Sequence, residues 1–121
     1  MIELDVQLPL ARFALSIQAR IESEAVAVLG PSGAGKTSLL EVIAGLRRRA
    51  TGRVVVDGEP LLDTAAGVRV PPERRRIGYV PQDSGLFPHL DARANVRFGL
   101  RRERGAEARF TEAVEMLEIG H

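Results

Sequence analysis

The sequence predicts an α/β fold built around a strand, a glycine-rich loop and a helix in direct succession. Three observations predict it. The apolar run "AVAVL" at residues 25–29 passes without a break into "GPSGAGKTS" at residues 30–38, and "SLLEVIAG" at residues 38–45 follows with helical spacing. Apolar and polar residues also alternate at the start of the chain, the mark of half-buried strands.

Taken in order, Ile2, Leu4 and Val6 alternate with Glu3 and Asp5, and Phe13, Leu15 and Ile17 alternate with Ala14 and Ser16, which predicts two opening strands. The continuous run at residues 25–29 predicts a fully buried strand. The helix after the loop is expected to pack through Leu39, Leu40 and Ile43 and to end near Gly45. Residues 53–56 read as a strand turning at Asp57 and Gly58, and residues 77–80 as a second buried strand running into Pro81. Residues 92–100 and 106–117 read as helices, the second with Phe110, Val114 and Leu117 at helical spacing. No internal repeat or interdomain linker interrupts the 121 residues, which are read as one domain-sized segment.

Composition narrows the function. Apolar residues make up 45% and charged residues 27%, the balance of a soluble globular chain. No apolar run approaches the roughly 20 residues that span a bilayer, and acidic residues stand where a signal peptide carries basic ones, so a cytoplasmic chain is expected. Cysteine is absent, which excludes a disulfide framework and a thiolate metal site. A net charge of +1 gives no general attraction to nucleic acid.

The basic residues are distributed in one telling way: of seventeen, sixteen are arginine, and the sole lysine is Lys36 in the glycine-rich loop. Arginine is a planar fork, whereas lysine is a compact charge on a thin stem that fits a narrow phosphate cradle. The pattern Gly30-x-x-x-x-Gly35-Lys36-Thr37 is that of a phosphate-binding loop, and it has the preceding strand and following helix that the pattern requires. Glycine lets successive backbone N–H groups face an anion, and the helix start adds its positive dipole end. Gly30, Pro31, Ser32, Gly33, Ala34, Gly35, Lys36, Thr37 and Ser38 are therefore the candidate phosphate-binding residues. Lys36 is assigned to the β- and γ-phosphates, the Thr37 hydroxyl to Mg²⁺ and Ser38 to phosphate.

The loop alone does not separate GTPases, kinases and ATPases. "RRRIGYVPQ" at residues 74–82, "LFPHL" at 86–90 and "ANVRFGL" at 94–100 closely resemble the nucleotide-binding subunits of ABC transporters, as do "AGL" at 44–46 and "GRVVVDGEPL" at 52–61. The resemblance covers nearly the whole chain. It implies a P-loop NTPase core with an antiparallel β subdomain, ATP and Mg²⁺ as ligands, a membrane permease subunit as partner, and a second ATP-binding subunit that closes over ATP. It also implies a place at the inner face of the cell membrane, through the permease. Gln82 falls where the family has a glutamine that approaches Mg²⁺ and the attacking water. Phe13 falls where a second-strand aromatic stacks on adenine; it is equally a strand residue that packs in the core. The short N-terminal segment and "PPERRRIGYVPQDSGLFPH" at residues 71–89 look most like the ATPases of molybdate importers.

Other features read as structure. Asp57 after "VVV" imitates a magnesium-binding aspartate but continues into Gly58, so it belongs to a hairpin turn. His89 reads as structural and His121 ends the chain. The arginine clusters at residues 47–49, 74–76 and 101–104 lack interleaved aromatics and read as solvated faces or partner contacts rather than nucleic-acid sites. The family's LSGGQ-type signature, catalytic glutamate and switch histidine find no match in these 121 residues. The expectation is therefore the N-terminal part of a transport-coupled ATPase, inactive in hydrolysis as this chain, with a non-catalytic nucleotide-binding module as the alternative. A small-molecule kinase is disfavoured by the segment around Gln82. Phe110, Val114 and Leu117 are expected to face a helical subdomain.

Overall fold

The computed structural model of the protein describes residues 1–83, 85–100 and 104–119. The chain divides into two units, Met1–Val80 and Pro81–His121.

The first unit is an antiparallel sheet with one helix against it. Its strands are β1 (Ile2–Pro9), β2 (Ala14–Ile21), β3 (Thr51–Val56), β4 (Glu59–Asp63) and β5 (Val68–Arg69), and its helix α1 spans Lys36–Ala44. The spatial order is β2-β1-β3-β4-β5. The alternation in β1 turns Leu4, Val6 and Leu8 inward, where they are 1–3% exposed. The register sets Leu4 opposite Ala19 on β2 and Val54 on β3, and Leu8 opposite Leu15. Val54, Leu61 and Leu62 extend this layer, and Leu39 and Val42 of α1 complete the core. Each fully buried Val or Leu contributes about 1.5–3 kcal/mol relative to exposure. The opposite sheet face carries charge, with Arg53 3.5 Å from Glu3 and 3.6 Å from Asp63.

The β3–β4 turn forms as expected, with Asp57 at φ 49° and Gly58 at φ 81°. Two positive φ values in a two-residue loop match the right-handed twist of the flanking strands. The N-terminal amine also sits 2.6 Å from the Asp57 carboxylate, which fixes this aspartate in the turn.

Three expectations need correction. Residues 25–29 and 77–80 are not strands, and Val26, Leu29 and Val80 are exposed, Val80 by 91%. A buried strand needs a ladder partner, and among the described residues none pairs with either segment. The packed face of α1 is Leu39 and Val42 with Ile43 half-buried beside them as expected, whereas Leu40, about 100° round the helix from Leu39, is 45% exposed. Phe13 precedes β2 rather than lying in it: Leu10 N–H donates to Phe13 C=O across the hairpin turn.

In the second unit, α2 (Ala92–Phe98) starts at Asp91, whose carboxylate accepts from Ala94 N–H at 2.7 Å, and α3 spans Ala106–Met116. Arg97 pairs with Glu107, and Arg93 and Arg97 lie over the Phe110 ring at 5.3 and 5.0 Å. Phe110 thus takes cation–π partners among the described residues, while Leu117 is 62% exposed. Most of the arginine cluster at 101–104, and His121, lie outside the described residues.

Candidate functional site

The glycine-rich loop is shaped by two positive-φ glycines, Gly33 at 82° and Gly35 at 99°. Gly35 is needed twice over. Its backbone conformation disfavours any side chain, and a Cβ there would lie 3.0 Å from Leu15 Cδ1 and 3.7 Å from Leu10 Cδ1. The end of the β1–β2 hairpin therefore rests against the loop, and Phe13, 43% exposed, sits on that hairpin end.

Beyond Gly35 the chain enters α1 directly. The first helical bond is Leu39 N–H to Gly35 C=O at 2.9 Å. The N–H groups of Lys36, Thr37 and Ser38 take no protein acceptor among the described residues, as the first turn of a helix requires. No side chain caps this end and no acidic residue lies in its first turn. The result is a row of free donors at the positive end of a helix, the arrangement that binds an anion.

Lys36 Nζ donates to Gly30 C=O and Pro31 C=O, each at 2.7 Å. These bonds fold the lysine back along the loop and hold its ammonium there. Ala34 N–H donates to Pro31 C=O at 3.2 Å and tightens the turn. Thr37 is exposed, leaving its hydroxyl accessible beside the free amides. Ser38 differs from expectation in its side chain: it is 8% exposed, and its Oγ accepts from Arg47 at 3.5 Å, leaving its backbone N–H for an anion.

The structure thus sets residues 30–38 in the first unit as a loop and the first turn of α1, with Leu10 and Leu15 of the hairpin that carries Phe13 close to Gly35. Gln82 stands in the second unit, exposed on a bend. Within that unit Asn95 pins the segment after it: Asn95 Oδ1 accepts from Phe87 N–H at 2.8 Å, and Nδ2 donates to Leu90 C=O at 3.0 Å and Asp91 C=O at 2.9 Å. His89 makes an edge contact with Phe87.

One residue escapes a reading of the sequence. Arg75, in the middle of a cluster expected to be solvated, is 6% exposed. Burial, with Arg69 nearby as the smaller cause, pushes its guanidinium pKa below the ordinary value. Arginine nonetheless stays charged at neutral pH. No local signal distinguishes Arg75 from Arg74 and Arg76, because two of its three partners, the Val42 and Ile43 carbonyls, are more than thirty residues away in sequence.

A glycine-rich loop that carries one lysine and opens a helix has the form of a phosphate loop, although no strand leads into it among the described residues. The ABC transporter family matches residues 14–121, and the chain belongs to that family. It is similar to molybdenum import ATP-binding proteins ModC. The Rhizobium johnstonii protein is 53% identical over 88 residues, covering 71% of this chain and 25% of that protein. The Photorhabdus laumondii protein is 43% identical over 100% of this chain and 34% of its own length. The Rhizobium etli protein is 46% identical over 91% of this chain and 32% of its own. The chain thus spans about a third or less of these relatives.

Proposed function

We propose that residues 1–121 form the N-terminal part of the nucleotide-binding domain of an ABC importer, whose whole subunit couples MgATP hydrolysis to uptake of molybdate or another oxyanion. The phosphate loop carries this reading: unpartnered amides at the start of α1 together with Lys36, the only lysine of the chain. The names of the relatives, molybdenum import and ATP binding, support the choice of substrate and nucleotide.

In this reading the amides of Lys36, Thr37 and Ser38 donate to phosphate oxygens, and the Lys36 ammonium meets charge on the β- and γ-phosphates. The residues fit a magnesium ion, since Thr37 offers an exposed hard oxygen beside the free amides. Thr37 would hold the ion, which would supply positive charge to offset that of the phosphates, and Gln82 is the second candidate ligand and would position water. The exposed ring of Phe13, on the hairpin that touches Gly35, is available to stack on adenine.

Among the described residues no helix is long and apolar enough to cross a membrane. A permease subunit supplies the membrane attachment, at the inner face, and a second ATP-binding subunit closes over the nucleotide.

The test is phosphate release by the whole subunit reconstituted with its permease in vesicles. Release stimulated by the transported oxyanion and abolished by Lys36→Ala is expected. MgATP binding that persists without any permease-dependent or oxyanion-dependent turnover would favour a non-catalytic nucleotide-binding module instead.

A further inference from the structure

The C-terminal end of α1 is held by a residue from elsewhere in the chain. Gly45, at φ 86°, and Leu46 close the helix: Gly45 N–H donates to Val42 C=O at 3.1 Å and Leu46 N–H to Glu41 C=O at 2.8 Å. That pattern leaves the Ile43 carbonyl free and Val42 half used. No basic residue lies in the last turn of the helix, although the negative end of its dipole favours one. Arg75 fills both needs. Its Nη1 donates to Val42 C=O at 3.1 Å and to Ile43 C=O at 2.9 Å, and its Nε donates to Val70 C=O at 2.8 Å. Val70 N–H in turn donates to Leu61 C=O of β4 at 2.9 Å. One buried guanidinium thus ties the helix end to the β4–β5 edge of the sheet. Gly45 makes room for it, since a Cβ there would lie 2.6 Å from Arg75 Nε.

The other end of this helix carries the phosphate-loop amides. Its nine residues span about 13 Å at 1.5 Å per residue, so a tilt at the C-terminus moves the loop. We infer that Arg75 is a positioning residue for phosphate binding: by bridging the α1 carbonyls and Val70 it fixes the helix whose first turn presents Lys36, Thr37 and Ser38. The inference rests on the nucleotide reading of that loop.

The test compares wild type with Arg75→Met, which keeps length and apolar stem but no donors, with Arg75→Lys, and with Gly45→Ala, which crowds the guanidinium. Two readouts are taken on the full chain: MgATP affinity, and the ¹H–¹⁵N signals of Gly35, Lys36, Thr37 and Ser38 without nucleotide. Arg75→Met is expected to shift the loop signals while those of Leu4, Val6 and Val54 stay in place, and to weaken MgATP about tenfold. Arg75→Lys, with no fork to serve both carbonyl groups, should restore only part of either effect. Loop signals and affinity equal to wild type, with only a lower denaturation midpoint, would make Arg75 a brace alone and overturn the inference. Should Arg75→Met not fold, Arg75→Lys and Gly45→Ala decide by the same outcomes. Wild type that shows no Lys36-dependent MgATP binding, yet loop signals that move on Arg75→Met, would refute the nucleotide reading and with it the phosphate-binding role, while showing that Arg75 sets the shape of the loop.

Discussion

Replacing Gly35 by alanine separates backbone geometry from side-chain packing in the phosphate loop, with Gly33→Ala as control. Both glycines have positive φ, 82° at Gly33 and 99° at Gly35. Alanine in such a conformation costs about 1–2 kcal/mol. At Gly33 an added Cβ meets nothing within 4 Å, so the backbone term is the whole cost. At Gly35 the added carbon meets Leu15 Cδ1 at 3.0 Å, and Leu15 is 7% exposed in the core, with little freedom to retreat. Crowding of this kind adds about 1–3 kcal/mol. The change also pushes on the helix start, so free energy is lost in the loop itself rather than only in the sheet. Urea unfolding of both variants, followed by MgATP titration, gives the comparison. Gly35→Ala should be less stable than Gly33→Ala and should bind MgATP more weakly, by roughly tenfold or more for a displacement worth about 1.4 kcal/mol. Equal stability of the two variants would refute the packing of the hairpin end against the loop. Wild-type affinity in Gly35→Ala would refute the claim that this backbone forms the phosphate cradle.

Three further outcomes are expected. Leu62→Ala, at a site 1% exposed, should destabilise the first unit by about 2–5 kcal/mol in urea unfolding while leaving the loop chemistry intact in what remains folded. Asp57→Asn should cost less than about 1 kcal/mol, because the ion pair to the N-terminal amine is exposed and asparagine tolerates the positive φ of 49°; Asp57→Val at the same turn should cost more, a difference that thermal melts resolve. In the whole subunit assembled with its permease, Gln82→Ala should leave ATP affinity nearly unchanged and lower transport-coupled turnover, and a parallel loss of binding would assign Gln82 a structural role.

The shape of the glycine-rich loop is legible in the sequence because its information is local: glycines at fixed offsets, one lysine and the start of a helix all lie within residues 30–38. The β3–β4 hairpin is legible for the same reason, since Asp57 and Gly58 accept the positive φ that the turn demands. Residues 25–29 and 77–80 depart from the strands expected of them because apolar content reports a demand for burial, whereas a strand also needs hydrogen-bonding partners, and these are absent among the described residues. On α1 the expected Leu39 and Ile43 do pack against the core, but Val42 takes the place of Leu40, because positions 39, 42 and 43 share one face at spacings of three and four. Arg75 is illegible for a different reason. In a run of three arginines the sequence does not say which one turns inward, and the acceptors Val42 and Ile43 become its neighbours only in the fold.

Titration of a fluorescent ATP analogue, in magnesium-containing buffer, against wild type, Lys36→Ala and Lys36→Arg tests the central claim most directly. Lys36→Ala removes the charge and both 2.7 Å bonds that hold it along the loop, and should weaken binding at least about tenfold, a loss of about 1.5–3 kcal/mol for a charge-assisted contact. Lys36→Arg should recover little, because a planar fork does not fit between the Gly30 and Pro31 carbonyls as a compact ammonium does. Equal affinities for the three proteins would contradict the assignment of residues 30–38 as a phosphate-binding loop.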